Sequence, residues 1–202
     1  MYIFDIKRFA INDGPGIRVT LFMKGCPLRC VWCHNPEGLS PNRQKMYVKK
    51  KCIGCRSCVE ACPRGGLELT RDGIRSTGVE CTLCGTCVDE CPTLALEMAG
   101  KEYSMTELMK LVEKDRIVME TSGGGVTLCG GEPLMQLDFL TALFSEAKKR
   151  GIHTCLDTSG IMYREEQKEK YGNEKIGHLS SRNRHSKRRF QFHIPTARLD
   201  FR

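Results

Sequence analysis

Cys26-Pro27-Leu28-Arg29-Cys30-Val31-Trp32-Cys33 is the stretch on which the rest of this chain turns. Three cysteines spaced C-x3-C-x2-C can ligate three irons of a 4Fe–4S cube, because thiolate is the usual protein ligand for such clusters. A structural zinc site wants four protein ligands, and no fourth cysteine follows within this loop. The fourth iron is left either to a small chelating molecule or to His34. Upstream, Asn12-Asp13-Gly14-Pro15-Gly16 is turn chemistry. It feeds Ile17 to Met23, a β-rich run that predicts a strand. The triplet therefore lies in a loop just past a strand, where parallel α/β folds place their chemistry. Asp13 by itself need only close the turn.

Beyond a polar stretch carrying Arg43, Lys45, Lys49, Lys50 and Lys51, one motif occurs twice. The first copy is Cys52-x2-Cys55-x2-Cys58-x3-Cys62-Pro63 and the second is Cys81-x2-Cys84-x2-Cys87-x3-Cys91-Pro92. This is the bacterial two-cluster ferredoxin spacing, in which the fourth cysteine of each run ligates the other cluster. It predicts one cluster on Cys52, Cys55, Cys58 and Cys91, and a second on Cys81, Cys84, Cys87 and Cys62. A segment of this kind is an electron relay.

Ser104-Met105-Thr106-Glu107 reads as a capping box opening a helix, with an apolar face of Met105, Leu108, Met109, Leu111 and Val112. A short strand, Val126 to Cys129, then ends on Gly130-Gly131-Glu132-Pro133. Glycines at that point let backbone come close to a ligand. The next helix, Leu137 to Arg150, buries Leu137, Leu140, Phe144 and Ala147, and Gly151 stops it. A third strand, about Ile152 to Leu156, delivers Asp157-Thr158-Ser159-Gly160 to the same sheet edge. Asp157 is either an ordinary turn residue or part of a ligand site there. Cys129 and Cys155, within apolar strands, read as buried, inert thiols.

Eleven of the thirteen cysteines fall into runs with metal spacing. With no signal-like stretch at the start and no apolar run long enough to span a bilayer, this predicts a reducing, anaerobic cytoplasm. The net charge of +8 divides unevenly: residues 164–202 carry +6 and all the rest +2. A nucleic-acid footprint should lie on a folded face, so neither nucleic acid nor membrane is an expected partner. Residues 163–202 sustain no helical or strand period and are expected to be disordered or only weakly structured.

Taken together, Asp13 to Arg18, Phe22 to Cys26, the triplet with His34-Asn35-Pro36-Glu37, Gly123 to Pro133 and Asp157 to Gly160 resemble the activating enzymes of glycyl radical enzymes. These belong to the radical S-adenosylmethionine superfamily. The resemblance covers about residues 1–162, and the doubled cysteine motif is similar to the insert of the subgroup that has two further clusters. It implies an oxidoreductase with a partial (β/α) barrel, a ferredoxin-like insert and three 4Fe–4S clusters.

The resemblance also implies roles for residues. Cys26, Cys30 and Cys33 would hold the catalytic cluster, whose open iron is chelated by S-adenosylmethionine. Trp32 would pack near the adenine, with His34 beside the same cofactor. Gly130, Gly131 and Glu132 would meet the methionyl amino group, largely through backbone. Asp157 and Thr158 would help hold a monovalent cation, and Asp13 would lie near the substrate peptide. The partner would be a glycyl radical enzyme, and the electron donor a flavodoxin or a ferredoxin-type protein. The activity implied is reductive cleavage of S-adenosylmethionine to a 5′-deoxyadenosyl radical, which takes hydrogen from a glycine of the partner.

On this basis residues 1–44 begin the barrel, 45–99 form the insert, 100–162 continue the barrel, and 163–202 are a basic tail. Setting tail and insert aside leaves room for about three strands. The chain is therefore expected to be a truncated or frame-shifted product with an incomplete barrel and an exposed edge at His153 to Leu156. The rival expectation is a simple ferredoxin-like electron carrier, which would employ eight cysteines and leave the triplet and the Gly130–Gly131 edge idle.

Overall fold

The computed structural model describes residues 1–31, 33–162 and, for the backbone alone, 190–194. The chain is mixed α/β and divides into two compact units, one of Met1–Asn42 with Glu102 onward and one of Arg43–Lys101. In chain order, β1 (Tyr2–Ala10) and β2 (Arg18–Met23) open the first unit. The second unit holds β3 (Gln44–Tyr47), α1 (Ser57–Glu60), β4 (Leu67–Thr70), β5 (Gly73–Ser76), α2 (Thr86–Asp89) and β6 (Leu96–Ala99). A two-residue strand, β7 (Lys101–Glu102), leads on to α3 (Met105–Glu113), α4 (Arg116–Ser122) and β8 (Gly125–Gly130). Then follow α5 (Leu137–Lys149), β9 (His153–Thr158) and β10 (Phe190–Ile194).

The first unit is built on one sheet of order β10-β9-β8-β2-β1-β7. Its centre is parallel, with Arg18, Gly125 and His153 in one row and Leu21, Leu128 and Leu156 in another. Successive residues of a strand face opposite sides, and here the two sides differ in chemistry. Val19, Leu21, Met23, Val126, Leu128 and Leu156 join Leu108, Met109 and Val112 of α3 and Leu140, Leu143, Phe144 and Ala147 of α5 in one core. Each such side chain contributes about 1.5–3 kcal/mol on burial. The alternate positions, Arg18, Thr20, Thr127, Cys155 and Asp157, make the other side polar, and all five are buried.

Local signals explain most of the elements. In α3 the Ser104 hydroxyl accepts from the Glu107 N–H, and the Glu107 carboxylate accepts from the Ser104 N–H, so both halves of the capping box form. α5 ends where Gly151 takes φ +70°. Two strands add to the three expected. β1 runs antiparallel to β2; its charges at Asp5, Lys7 and Arg8 fall where one face is open to solvent. β10 pairs antiparallel with β9, Phe190 opposite Thr158 and Ile194 opposite Thr154. The β9 edge expected to be bare at His153 to Leu156 is thus paired from Thr154 onward; of the tail, residues 190–194 form this strand and the remainder of 163–202 lies outside the described residues. A third difference is small but matters for the site. β9 continues through Thr158, so Asp157 and Thr158 belong to the strand end and not to the loop.

The second unit repeats itself at an offset of 29 residues. β3 and β5 start at Gln44 and Gly73, and β4 and β6 at Leu67 and Leu96. Left-handed backbone recurs at the same offset, at Gly54 and Leu83, Arg56 and Gly85, Gly65 and Leu94. A non-glycine residue rarely accepts that conformation. Its appearance at three equivalent places shows that the loop geometry, set by the cysteine spacing, overrides residue preference. β3 pairs with β6 and β4 with β5, both antiparallel.

Candidate functional site

The C-terminal ends of β2, β8 and β9 come together at one edge, and backbone hydrogen bonds lace the loops there. The N–H of Gly25 donates to the Gly38 carbonyl (2.8 Å), and that of Cys26 to the Leu39 carbonyl (3.1 Å). The N–H of Gly131 donates to Met23 and that of Glu132 to Gly25, each at 2.7 Å. The cysteine loop is thereby tied at its root to the end of β8. The two glycines serve this lacing on their Cβ side. A Cβ on Gly130 would sit 2.5 Å from the Met23 nitrogen, and one on Gly131 would overlap the Gly25 carbonyl oxygen. Their lack of a side chain is used first for protein backbone, not for a ligand.

Lys24, inside this lacing, is fully buried, and its ammonium donates to the Glu37 carbonyl. Burial lowers its pKa, with the charge of Glu37 opposing. The lysine closes the Pro36–Gly38 turn onto the root of the cysteine loop. Within the loop the Cys33 N–H donates to the Cys30 carbonyl at 3.0 Å. Burial pushes the Cys26 thiol up; a backbone hydrogen bond at Leu28 opposes this, while the charges of Glu132, Cys30 and Cys33 reinforce it. Cys26 and Cys30 are half-buried, and Cys33 and His34 are exposed. Three thiols on one short loop, reachable from outside, fit a cluster with one iron left open. Trp32 lies outside the described residues.

Glu132 is only 1% exposed and its carboxylate is saturated by donors. Oε1 accepts from the Leu134 N–H (3.1 Å) and the Thr158 hydroxyl; Oε2 accepts from the Ser159 N–H (3.0 Å) and the Ser159 hydroxyl. The side chain is a strap between the loops after β8 and β9, and the Glu132 N–H is committed to Gly25, so what this stretch still offers a ligand is carbonyl oxygen. Thr158 also accepts from the Gly160 N–H at 3.0 Å. Asp157 accepts from the Cys129 thiol, with Sγ 3.0 Å from Oδ2. A cation at this edge would draw on the Asp157 carboxylate first, since the Thr158 hydroxyl is already committed to Glu132 and Gly160.

The polar side of the sheet is organised by Arg18, which sequence reasoning did not single out. The signal was a lone charge within an apolar strand. Arg18 is fully buried; its guanidinium donates to the Thr127 hydroxyl (2.6 Å) and to the carbonyls of Pro15 (2.8 Å) and Val126 (2.9 Å), and its Nη2 lies 3.2 Å from His153 Nδ1. Burial lowers its pKa, opposed by Cys155 and Asp13. Asp13 accepts from the Thr20 hydroxyl (2.7 Å), and its carbonyl accepts from Thr127 (2.9 Å). Asp13 thus pins the turn over the polar side. Cys155 is fully buried, as expected, on the polar side of the sheet; burial pushes its thiol up to about 11, with Arg18 opposing.

In the second unit the structure gathers Cys52, Cys55, Cys58 and Cys91 around one cavity, and Cys62, Cys81, Cys84 and Cys87 around another. Each run contributes its fourth cysteine to the other set. Donors to sulfur repeat at the 29-residue offset: Gly66 N–H to Cys62 (3.3 Å) and Ala95 N–H to Cys91 (3.2 Å). Ser57 hydroxyl to Cys55 and the Cys84–Thr86 pair are both at 3.4 Å. The Ser57 and Thr86 hydroxyls lower the pKa of the Cys55 and Cys84 thiols. Among the described residues no three His, Cys, Asp or Glu side chains converge to hold a single metal ion. Four thiols around a cavity suit the larger cube.

A family model described as a 4Fe-4S single cluster domain matches residues 12–181. The chain is 47% identical over 162 residues to the (2S)-3-sulfopropanediol dehydratase activating enzyme of Klebsiella oxytoca, covering 78% of this chain and 51% of that one. It is 45% identical over 159 residues to the trans-4-hydroxy-L-proline dehydratase activating enzyme of Clostridioides difficile, covering 78% and 53%. With the benzylsuccinate synthase activating enzyme of Thauera aromatica it shares 43% over 162 residues, covering 78% and 49%. The chain spans about half the length of the curated relatives it matches. Among the described residues no helix is long and apolar enough to cross a membrane.

Proposed function

Because the chain belongs to the 4Fe-4S single cluster domain family, matched over residues 12–181, we propose that it is a radical S-adenosylmethionine activase of a glycyl radical enzyme, or the part of one that carries its clusters. The observation that carries this is the laced edge, where one loop bearing Cys26, Cys30 and Cys33 is tied by backbone to Gly131 and Glu132. Cys26, Cys30 and Cys33 hold the catalytic cluster, and the backbone of Gly130 to Glu132 meets the cofactor's methionyl end. The family resemblance assigns Trp32 to the adenine of that cofactor. Asp157, oriented by Cys129, holds a monovalent cation, and Thr158 supports that site by tying the end of β9 to Glu132. Asp13 and Arg18 shape the polar side of a partial barrel, toward which the glycine-bearing peptide of the partner comes. The second unit is a ferredoxin-like insert with two further clusters, fed by a flavodoxin or ferredoxin-type donor.

With cluster and S-adenosylmethionine bound, the chemistry supplied at this edge is one-electron cleavage of a sulfonium and removal of a hydrogen atom from a glycine. The protein's own part is to orient and shield. Lys24 and Glu132 fix the loops, and the buried polar side of the sheet excludes water from one flank. A two-cluster carrier would account for the second unit but gives the laced edge no purpose. Two substitutions test the assignment on the reconstituted, reduced chain. Cys30→Ala should abolish 5′-deoxyadenosine formation while sparing two clusters; Cys55→Ala should spare S-adenosylmethionine binding and slow its cleavage. Identical effects from both would overturn the division of labour.

A further inference from the structure

The two cavities of the second unit can be compared wall by wall, because residues 29 apart take equivalent places. Ile74 of β5 lines the cavity of Cys52, Cys55, Cys58 and Cys91. Its equivalent in β3 is Lys45, which lines the cavity of Cys62, Cys81, Cys84 and Cys87. Likewise Ile53 of the first cavity is replaced by Thr82 in the second. One site therefore has an apolar wall where the other has an ammonium group and a hydroxyl.

The remaining charges do not cancel this difference. Arg56 borders the first cavity, and Arg64 and Glu80 the second, but all three are exposed, where salt and water screen them. Lys45 is half-buried. Donors to sulfur are nearly matched, since the Gly66/Ala95 and Ser57/Thr86 pairs recur in both sites. Leu83 N–H adds one to Cys81 at 3.4 Å, and the Tyr47 hydroxyl adds one to Cys52. The Thr93 hydroxyl, 3.8 Å from the Cys91 sulfur, adds another to the first site, and the Thr82 hydroxyl adds another to Cys84 in the second. With two extra donors on each side the count stays even, which leaves the charge of Lys45 to decide. Lys45 lines the same cavity as Cys87.

The potential of an iron–sulfur cluster follows its net charge, the hydrogen bonds to its sulfurs and its exposure. Reduction adds one negative charge, which a neighbouring cation stabilises and an apolar wall does not. We propose that Lys45 makes the two sites unequal, so that the cluster on Cys62, Cys81, Cys84 and Cys87 is reduced before the one on Cys52, Cys55, Cys58 and Cys91. This rests on the reading that the second unit carries two 4Fe–4S clusters. It assigns the Lys45 site as the place where an incoming electron settles and the Ile74 site as the stronger reductant.

The test is a reductive titration followed by electron paramagnetic resonance on the full chain in a Cys30→Ala background, which removes the signal of the third cluster. Two steps are expected. Lys45→Ile, which installs the side chain already accepted at the equivalent place, should make the easier step harder by about tenfold, or about 59 mV for a one-electron couple, and leave the other in place. Ile74→Lys should ease the harder step by a similar factor, which keeps the test open if one variant fails to fold. A single potential for both clusters in the parent, or a Lys45→Ile variant in which neither step or only the harder one moves, overturns the proposal. Iron content separates the two levels: well under about eight irons per chain in the parent removes the two-cluster reading, and the proposal with it.

Discussion

Replacing Glu132 should loosen the loop after β9 far more than it disturbs the core. The carboxylate is 1% exposed and holds four donors, the N–H groups of Leu134 and Ser159 and the hydroxyls of Thr158 and Ser159. Hydrogen bonds to a charged group contribute about 1.5–3 kcal/mol each, but four on one carboxylate share its charge and do not add. Glu132→Ala also leaves the buried N–H groups of Leu134 and Ser159 without an acceptor, at about 1–3 kcal/mol each, so the cost should be about 3–5 kcal/mol. Glu132→Gln keeps the shape but loses charge assistance, and should cost roughly half as much. Hydrogen exchange at the Ser159 amide reads the effect directly. At about 1.4 kcal/mol per decade, exchange should accelerate about a hundredfold or more in Glu132→Ala, with the Leu128 amide in β8 much less affected. Unchanged Ser159 protection in a variant that still protects Leu128 would refute the strap.

Gly131→Ala should cost about 2–3 kcal/mol in urea unfolding, because its Cβ would meet the backbone carbonyl of Gly25, which cannot step aside. Gly151→Ala is the control: nothing lies within 4 Å of its Cβ, so only the left-handed φ is penalised, at about 1 kcal/mol. Equal losses would argue against lacing. The Cys155 thiol is pushed from 9.0 up to about 11 by burial, so folded protein holds that proton more tightly than unfolded chain. Its contribution is present below pH 9 and disappears as pH rises toward 11, by about 2–3 kcal/mol in all. Cys155→Ala should flatten that part of the alkaline stability curve, and an unchanged curve would rule the thiol out.

Periodicity and spacing made the parallel strands, the α3 and α5 helices and the cysteine runs legible, because each depends on local pattern alone. The two sets of four thiols around separate cavities follow from the same repeat. What could not be read depends on partners far along the chain. β1 hides its strand character behind Asp5, Lys7 and Arg8, which an antiparallel pairing with β2 leaves at the surface. Arg18 is quoted easily as part of a motif, but its role rests on Thr127 and His153, more than a hundred residues away. Gly130 and Gly131 advertise an absent Cβ without saying what fills the space; only the fold shows that it is Met23 and Gly25. Glu132 likewise gives no hint in sequence that its side chain is spent on Thr158 and Ser159. Asp157 and Thr158 sit one element earlier than expected because β9 runs on through Thr158.

Iron counting, combined with S-adenosylmethionine binding, tests the central claim most directly. The anaerobically reconstituted chain should hold about twelve irons, four for each of three cysteine sets, and Cys30→Ala about eight. Adding S-adenosylmethionine to the reduced protein should change the paramagnetic resonance of one cluster only, and that change should vanish in Cys30→Ala. About eight irons in both proteins, with a spectrum indifferent to S-adenosylmethionine, would contradict the account and leave a two-cluster electron carrier in its place.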